Sequence, residues 1–267
     1  MTRSTAKVIA DSIYNGHRLT TLELEYPRYI HSEFMTHRVF SRNAQSTRAI
    51  PTAKQIERIL KDKWYPIFMK NQAGMQADIP LEGKDLFIAK SIWNTAKSEA
   101  IYQSSLLLEN KVHKQVASRI LEPFSKIKVI VSATEWNNFF RLRIAPDAQQ
   151  EMQELAIEIR GAIVLSNPNK LDICEWHLPY ISSEERAFYS PDNLKKLSTA
   201  RCARVSYLSH DGERDPAKDL ELHDRLFESK HMSPFEHVAT PWPGDFSGGN
   251  FRGWRQYRYD IENDISS

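Results

Sequence analysis

Thr36-His37-Arg38-Val39-Phe40-Ser41-Arg42-Asn43-Ala44-Gln45-Ser46-Thr47-Arg48 is the stretch from which the rest of this chain is read. One His, three Arg, two Ser and one Asn crowd into it, directly after an apolar, β-branched segment. A strand end with so much fixed hydrogen-bonding capacity suits an anionic ligand. The guanidinium is a rigid fork of donors that matches phosphate. Ser46 and Asn43 are short groups able to hold a ring or a ribose. The plain alternative is a solvated basic loop, the usual fate of a charge run.

The run resembles the signature of the flavin-dependent thymidylate synthases, R-H-R-x-x-S-x-N-E-x-S-x-R. His37, Arg38, Ser41, Asn43, Ser46 and Arg48 match it in register. Thr36 stands in place of the first Arg and Ala44 in place of Glu. A second block, Trp136 to Arg143 followed by Ala148-Gln149-Gln150-Glu151, resembles the family's N-F-L-x-L-R-x-x-x-x-A-Q-x-E stretch through Asn138, Arg143, Gln149 and Glu151. A third block joins Ala203-Arg204-Val205-Ser206-Tyr207 to Ser233-Pro234-Phe235-Glu236-His237. It resembles A-R-V-S and P-F-E-H elements that precede the signature in the family. Here they follow it, as in a circular permutation, which chains with close, exposed termini tolerate. Phe251 to Arg258 echoes the family's entry to the signature, as a partial duplicate or a separate ligand-facing segment.

The resemblance implies a single α/β (α+β) domain over residues 1–267, with helices packed on a mixed or antiparallel sheet. It also implies a homotetramer with FAD between subunits. The implied reaction is methylation of dUMP to dTMP, with methylenetetrahydrofolate as carbon donor and NADPH as reductant. In that reading Arg143 and Ser46 are catalytic, since a fixed guanidinium beside a carbonyl stabilises charge developing on the ring. Glu33, Ser46, Thr47, Arg48, Arg119 and Arg143 bind the substrate. Thr36, His37, Arg38, Asn43, Asn138 and His237 bind the flavin. The plainer readings are a surface salt bridge of Arg143 with Glu151 or Asp147, a capping role for Ser46, and buried histidines that only satisfy backbone groups.

Departures from the family pattern bear on the substrate. Glu33 stands where the family usually has Gln, which leaves an acceptor alone at neutral pH. A cytosine amino group fits that better than a uracil carbonyl. A dCMP methylase or hydroxymethylase is therefore an alternative. A non-catalytic nucleotide-binding relative is another, favoured by Thr36, Ala44 and Thr134.

Composition sets the outer bounds. The 267 residues are 41% hydrophobic, enough for a core, and the net charge of +2 counts against bulk binding of nucleic acid. Neither a signal peptide nor a membrane span is read, so a cytoplasmic protein is expected. Cys174 and Cys202 share no metal-like spacing and are expected as buried structural residues, with no metal site. No thiolate nucleophile is needed if flavin does the chemistry.

Periodicity predicts the elements. Leu19 to Met35 reads as one or two strands, with Pro27 at a bulge or edge. Helices are expected at Ala53–Lys63, Leu86–Asn110 (a long core helix), His113–Leu121, Glu135–Leu142, Asp147–Leu165 and Asp219–Glu228. Lys128–Ser132 is a strand and Phe235–Thr240 a strand start. Residues 70–84, 178–194 and 244–253 are read as irregular.

Overall fold

The hairpin β1 (Thr5–Tyr14) and β2 (His17–Pro27) is the longest pairing in the fold, and it turns on Asn15-Gly16. Both turn residues have positive φ, +45° and +81°, the conformation for which Asn-Gly is the favoured hairpin pair. The computed structural model describes residues 3–74, 76–206, 215–243 and 247–264. Tyr207 and Gly244 fall outside them.

Strands β3 (Ser41–Ala44), β4 (Lys126–Ala133) and β5 (Asn169–Lys170) complete a mixed sheet in the order β3-β4-β2-β1-β5. Its pairs are antiparallel except β1 with β5. Strand β2 is central, so Pro27 marks neither edge nor bulge; it ends the strand, and the register shift lies in β1 between Val8 and Ala10. Beyond Pro27 the chain makes a turn of 3-10 helix, Arg28–Ile30, and then helix α1 (His31–Phe34), where a strand was expected.

Alternation assigns the two faces of the sheet. Leu22, Leu24 and Tyr26 of β2 and Ile127, Val129, Val131 and Ala133 of β4 point into the main core. Helix α2 (Thr52–Lys61) follows the signature run. Helix α3 (Gly83–Glu109) has 27 residues but buries only Ala100 and Ser104, so it is not a core helix. Its apolar residues surround the helix, and Phe87, Ile92 and Tyr102 lie exposed. Trp93 packs edge-on to Phe124 at 5.0 Å, as a packing residue should. Helix α4 (Lys114–Ala117) runs into a 3-10 segment, Ser118–Phe124, that ends where β4 begins.

Helices α5 (Asn137–Arg143) and α6 (Gln150–Leu165) close the main core. Met152, Leu155, Ala156 and Ile159 of α6 are fully buried against the sheet at the expected helical spacing. Burial of each large side chain there is worth about 1.5–3 kcal/mol.

The opposite face carries Thr21, Glu23, Glu25, Lys128, Ile130 and Ser132. Helices α7 (Ser183–Phe188) and α8 (Pro191–Arg204) lie in and beyond the region read as irregular. Helix α8 packs Cys202, with Val205 just beyond its end, onto Ile130. Its Arg201 reaches Glu185 at 2.5 Å, and Arg201 and Arg204 share the buried Asp219 of α9 (Pro216–Glu228) at 2.9 and 2.5 Å. Ser233–Glu236 is a 3-10 turn, so the strand expected from Phe235 begins only at β6 (Ala239–Pro241), paired with β7 (Ser247–Gly248) through β8 (Trp254–Gln256). Helix α10 (Tyr257–Glu262) ends the fold. Phe251 and Trp254 are fully buried with Leu19 and Ala239, so these two side chains belong to the core. Cys202 is buried as expected, whereas Cys174 is exposed. Among the described residues no helix is long and apolar enough to cross a membrane, and no cluster could hold a metal.

Candidate functional site

Arg143 is the last residue of α5, and the aromatic core aims it. Phe139, one turn earlier, is buried and meets the His37 ring edge-on at 4.9 Å. That contact sets the end of α5 beside the start of the signature run. Arg143 Nε donates to His37 Nε2 at 2.9 Å, Nη2 to Thr36 Oγ1 at 3.2 Å, and Nη1 to the Glu33 carboxylate. Thr36 Oγ1 in turn donates to the Glu33 carbonyl at 2.7 Å. A His37 Nε2 that accepts requires a neutral ring with its proton on Nδ1. Burial, then the Arg143 and Arg42 guanidiniums, push its pKa down to about 4, in keeping with that state. The pairing of Arg143 with Glu151 or Asp147 does not occur. Glu151 is buried and accepts from Tyr29 Oη and Ile67 N, each at 2.9 Å.

The other end of β3 carries a second group. Ser46 N donates to Ser206 O at 3.5 Å and Ser206 Oγ to Ala44 O at 3.2 Å, so the third block lies against the signature. Thr47 Oγ1 donates to Glu122 at 3.4 Å and Arg119 reaches the same carboxylate at 2.8 Å. Arg28, half-buried, approaches it at 3.4 Å. Burial lowers the Arg28 pKa while Glu122 opposes that shift. Arg38 and Arg48 are exposed and make no ion pair or hydrogen bond among the described residues.

The expected site residues thus fall into groups. Glu33, Thr36, His37 and Arg143 meet at one end of β3; Ser46, Thr47, Arg48 and Arg119 lie at the other. The four residues of β3 span about 13 Å between them. Asn138 joins neither group: it is exposed and its side-chain oxygen accepts from Arg141 at 2.8 Å.

His237 and Asn43 lie on the polar face of the sheet. His237 is 0% exposed, so in this conformation it sits beneath the surface. Its Nδ1 meets Ser132 Oγ at 2.9 Å, Ser132 meets Thr21 Oγ1 at 2.6 Å, Thr21 meets His177 Nε2 at 2.8 Å, and His177 Nδ1 meets Ser12 Oγ at 2.9 Å. Burial pushes both histidines down to about 3, so both are neutral. His237 Nε2 and Asn43 Nδ2 are buried without a hydrogen-bond partner. Sequence reading missed His177. Its partners come from three strands and no local spacing announces it.

Arg28 and Lys128 were missed as well. Both line a cleft of about 500 Å³ beside Thr47, under the inner side of α2. Arg28 follows a proline at a strand end, and Lys128 is one alternate residue of a strand, so neither forms part of a basic run.

The sequence pattern of the family described as thymidylate synthase complementing protein matches residues 14–168. That span holds Glu33 to Arg48, Arg119 and Arg143, and leaves out the third block. No curated protein matches the chain. Among solved structures it is similar to the UMP/dUMP methylase PolB from Streptomyces cacaoi bound with 5-Br UMP. The two share 14% identity at a TM-score of 0.50, over 61% of this chain and 90% of that one. The same methylase bound with 5-Br dUMP gives 15% identity and a TM-score of 0.46, over 60% and 90%. At such identity the likeness is one of fold.

Proposed function

Since this chain belongs to the thymidylate synthase complementing protein family, we propose that it is a flavin-dependent enzyme that methylates C5 of a pyrimidine deoxynucleotide. The acceptor is dUMP, the carbon donor methylenetetrahydrofolate, and NADPH the source of reducing equivalents. The observation that carries this reading is Arg143, brought by the second block onto Glu33, Thr36 and His37 of the first.

The residues present fit FAD in their donor chemistry. Arg38 offers an unpaired guanidinium to a diphosphate, and Asn43 Nδ2 and His237 Nε2 are buried polar atoms that lack partners. Arg38, His37 and Asn43 are the residues assigned to hold it; Asn138 and His237 need a local rearrangement to reach it. Bound flavin supplies the hydride that completes the methyl group. The chain's own part is orientation and charge. Arg143 stabilises negative charge on the pyrimidine carbonyl and so makes C5 nucleophilic. Ser46, Thr47, Arg48 and Arg119 hold the nucleotide and its phosphate. Neutral His37 keeps Arg143 in place without adding a second cation.

The two groups at opposite ends of β3 support a site shared between chains, with a homotetramer as the assembly. The exposed apolar residues of α3 are available for its contacts. A single permuted domain over residues 1–267, working in the cytoplasm, completes the reading; the packing of Ser206 on β3 supports the permutation.

The Glu33–Arg143 pair favours a second reading. An acceptor beside a donor complements the amino group and ring nitrogen of cytosine, so a dCMP methylase or hydroxymethylase is the next candidate. The test is an absorbance spectrum after FAD addition and gel filtration, then anaerobic reduction with dUMP and dCMP added separately. A retained flavin band that responds to dUMP supports the main reading, and a response to dCMP alone supports the second. No retained flavin sinks both and leaves a non-catalytic nucleotide-binding relative.

A further inference from the structure

A buried polar chain crosses three strands of the sheet and ends on His237. It runs from Ser12 of β1 through the His177 ring to Thr21 of β2, then to Ser132 of β4 and to His237 Nδ1. Its five residues are each no more than 5% exposed. Thr21 and Ser132 are direct partners in the β2–β4 ladder, which fixes the middle of the chain. His177 N donates to Ala239 O at 2.8 Å and its ring stands edge-on to Trp254 at 6.2 Å, which fixes that ring. A neutral imidazole has one donor and one acceptor nitrogen, and a hydroxyl has one proton. Both rings are neutral. Among the described residues the hydroxyls of Ser12, Thr21 and Ser132 have no partner outside the chain. Thr21 and Ser132 therefore each donate once and accept once, and each ring passes the same direction on. If Ser12 donates, both rings carry their proton on Nε2, and one buried donor, His237 Nε2–H, is left over. If Ser12 accepts, both rings carry it on Nδ1, and the Ser12 proton and the His237 Nε2 lone pair are both left over. The first arrangement strands fewer buried polar groups, each of which is costly.

We propose that Ser12 and His177 are positioning residues for His237. Acting through Thr21 and Ser132, they hold its proton on Nε2 and keep that nitrogen as a donor for an acceptor atom of a bound ligand, a carbonyl oxygen or an unprotonated ring nitrogen. His237 Nε2 has no partner among the described residues, so a ligand acceptor is what completes it. Both histidines lie beyond residues 14–168, the span that the family pattern matches, so the role of neither follows from that match. Under the proposed reaction the ligand is the flavin already assigned to His237, and the inference rests on that reading for the ligand's name alone. The tautomer is read without flavin, so the two fail separately.

The test is a long-range proton–nitrogen correlation spectrum of the histidine rings in the full chain, without flavin, near neutral pH. His177→Gln and His237→Gln assign the two rings, and the nitrogen shifts separate their tautomers. In the unaltered protein both rings are expected to carry the proton on Nε2. Ser12→Ala removes the donor that sets the direction and leaves the two arrangements equally satisfied. The Nδ1–H share of His237 should then rise about threefold or more, and that of His177 with it. Adding Thr21→Val to Ser12→Ala cuts the chain, and His237 alone should return to Nε2–H. Thr20→Val, which removes a buried hydroxyl bonded to Asp11 outside the chain, should leave both rings unchanged. If Ser12→Ala fails to fold, Ser12→Cys, a weaker donor, takes its place with a smaller shift in the same sense. The proposal is overturned if either ring of the unaltered protein carries its proton on Nδ1, or if the Ser12 variant leaves the tautomer of His237 unchanged. It is equally overturned if Thr20→Val moves His237 as far as the Ser12 variant does, or if cutting the chain at Thr21 leaves the shift in His237 in place.

Discussion

Acid should unfold this protein at a pH where its carboxylates are still ionised, because four of its histidines are built to be neutral. Burial is the main cause in each: His31 and His37 are pushed down to about 4, His177 and His237 to about 3. An unfolded histidine titrates near 6.5. Below that pH the unfolded chain binds protons that the folded chain refuses. The stabilisation is therefore complete above about pH 6.5 and falls as pH drops towards the folded values. At pH 5 each histidine has cost about 2 kcal/mol relative to neutral pH, or about 8 kcal/mol for the four. That is comparable with the whole stability of a domain, about 5–15 kcal/mol. Urea unfolding followed by tryptophan fluorescence at pH 8, 7, 6 and 5.5 reads the effect directly. The unfolding free energy should be level between pH 8 and 7 and lose about 6 kcal/mol by pH 5.5. In His37→Asn the loss between pH 7 and 5.5 should shrink by about 1.4 kcal/mol, one histidine's share. A midpoint that stays level down to pH 5.5 would refute the claim that these rings are held neutral.

Three further outcomes follow from the same geometry. Arg143→Ala should abolish turnover in a coupled nucleotide assay while flavin binding persists; retained turnover removes its role in charge stabilisation. Glu33→Gln should shift preference towards dUMP over dCMP if Glu33 reads the base, and an unchanged ratio removes it from recognition. Asp219→Asn takes the shared carboxylate from Arg201 and Arg204 inside the fold, and breaking such a buried pair costs about 3–5 kcal/mol. A urea unfolding free energy within about 1 kcal/mol of the unaltered protein would show that Glu185 alone suffices for Arg201.

Those elements whose burial is one-sided were legible. Helix α6 announces itself because Met152, Leu155, Ala156 and Ile159 recur at helical spacing, and β4 because its residues are β-branched. Helix α8 escaped notice for the opposite reason. Its buried face includes Lys195, Ser198, Thr199 and Arg201, so polarity runs through the interior and erases the apolar stripe. Partners far away in sequence, Glu185 and Asp219, make that burial possible. Strand β1 was missed although Asn15-Gly16 marked its turn, since Asp11 and Ser12 break the alternation; both are buried, Asp11 with Arg18 and Ser12 with His177. Helix α3 misled in the other direction. Its apolar content is real, but a single chain has nothing to cover it. At the site, residue types in register located Arg143 and His37, while the contact between them depended on where Phe139 anchors α5.

Glu33 and Thr36 read in the sequence as two unrelated departures from the family pattern. In the fold they touch the same guanidinium. The pattern they resemble has Gln and Arg at these places, which would leave Arg143 beside a second cation and without a carboxylate. Here the neighbouring cation is gone and a carboxylate has arrived, so the net charge around Arg143 is lower by two. A charge pair at this range interacts by about 4 kcal/mol where the effective dielectric is near 20. If Arg143 polarises a substrate carbonyl as proposed, the Glu33 carboxylate beside it weakens that pull by an amount large enough to matter for rate. Thr36 also returns something, since its hydroxyl accepts from Arg143 Nη2 and fixes the guanidinium plane. The pair thus exchanges electrostatic strength for a fixed donor–acceptor edge. Under the proposed reaction that edge would suit a base with an amino group better than one with two carbonyls, and Glu33→Gln, more than any change at Thr36, is the substitution that tests it.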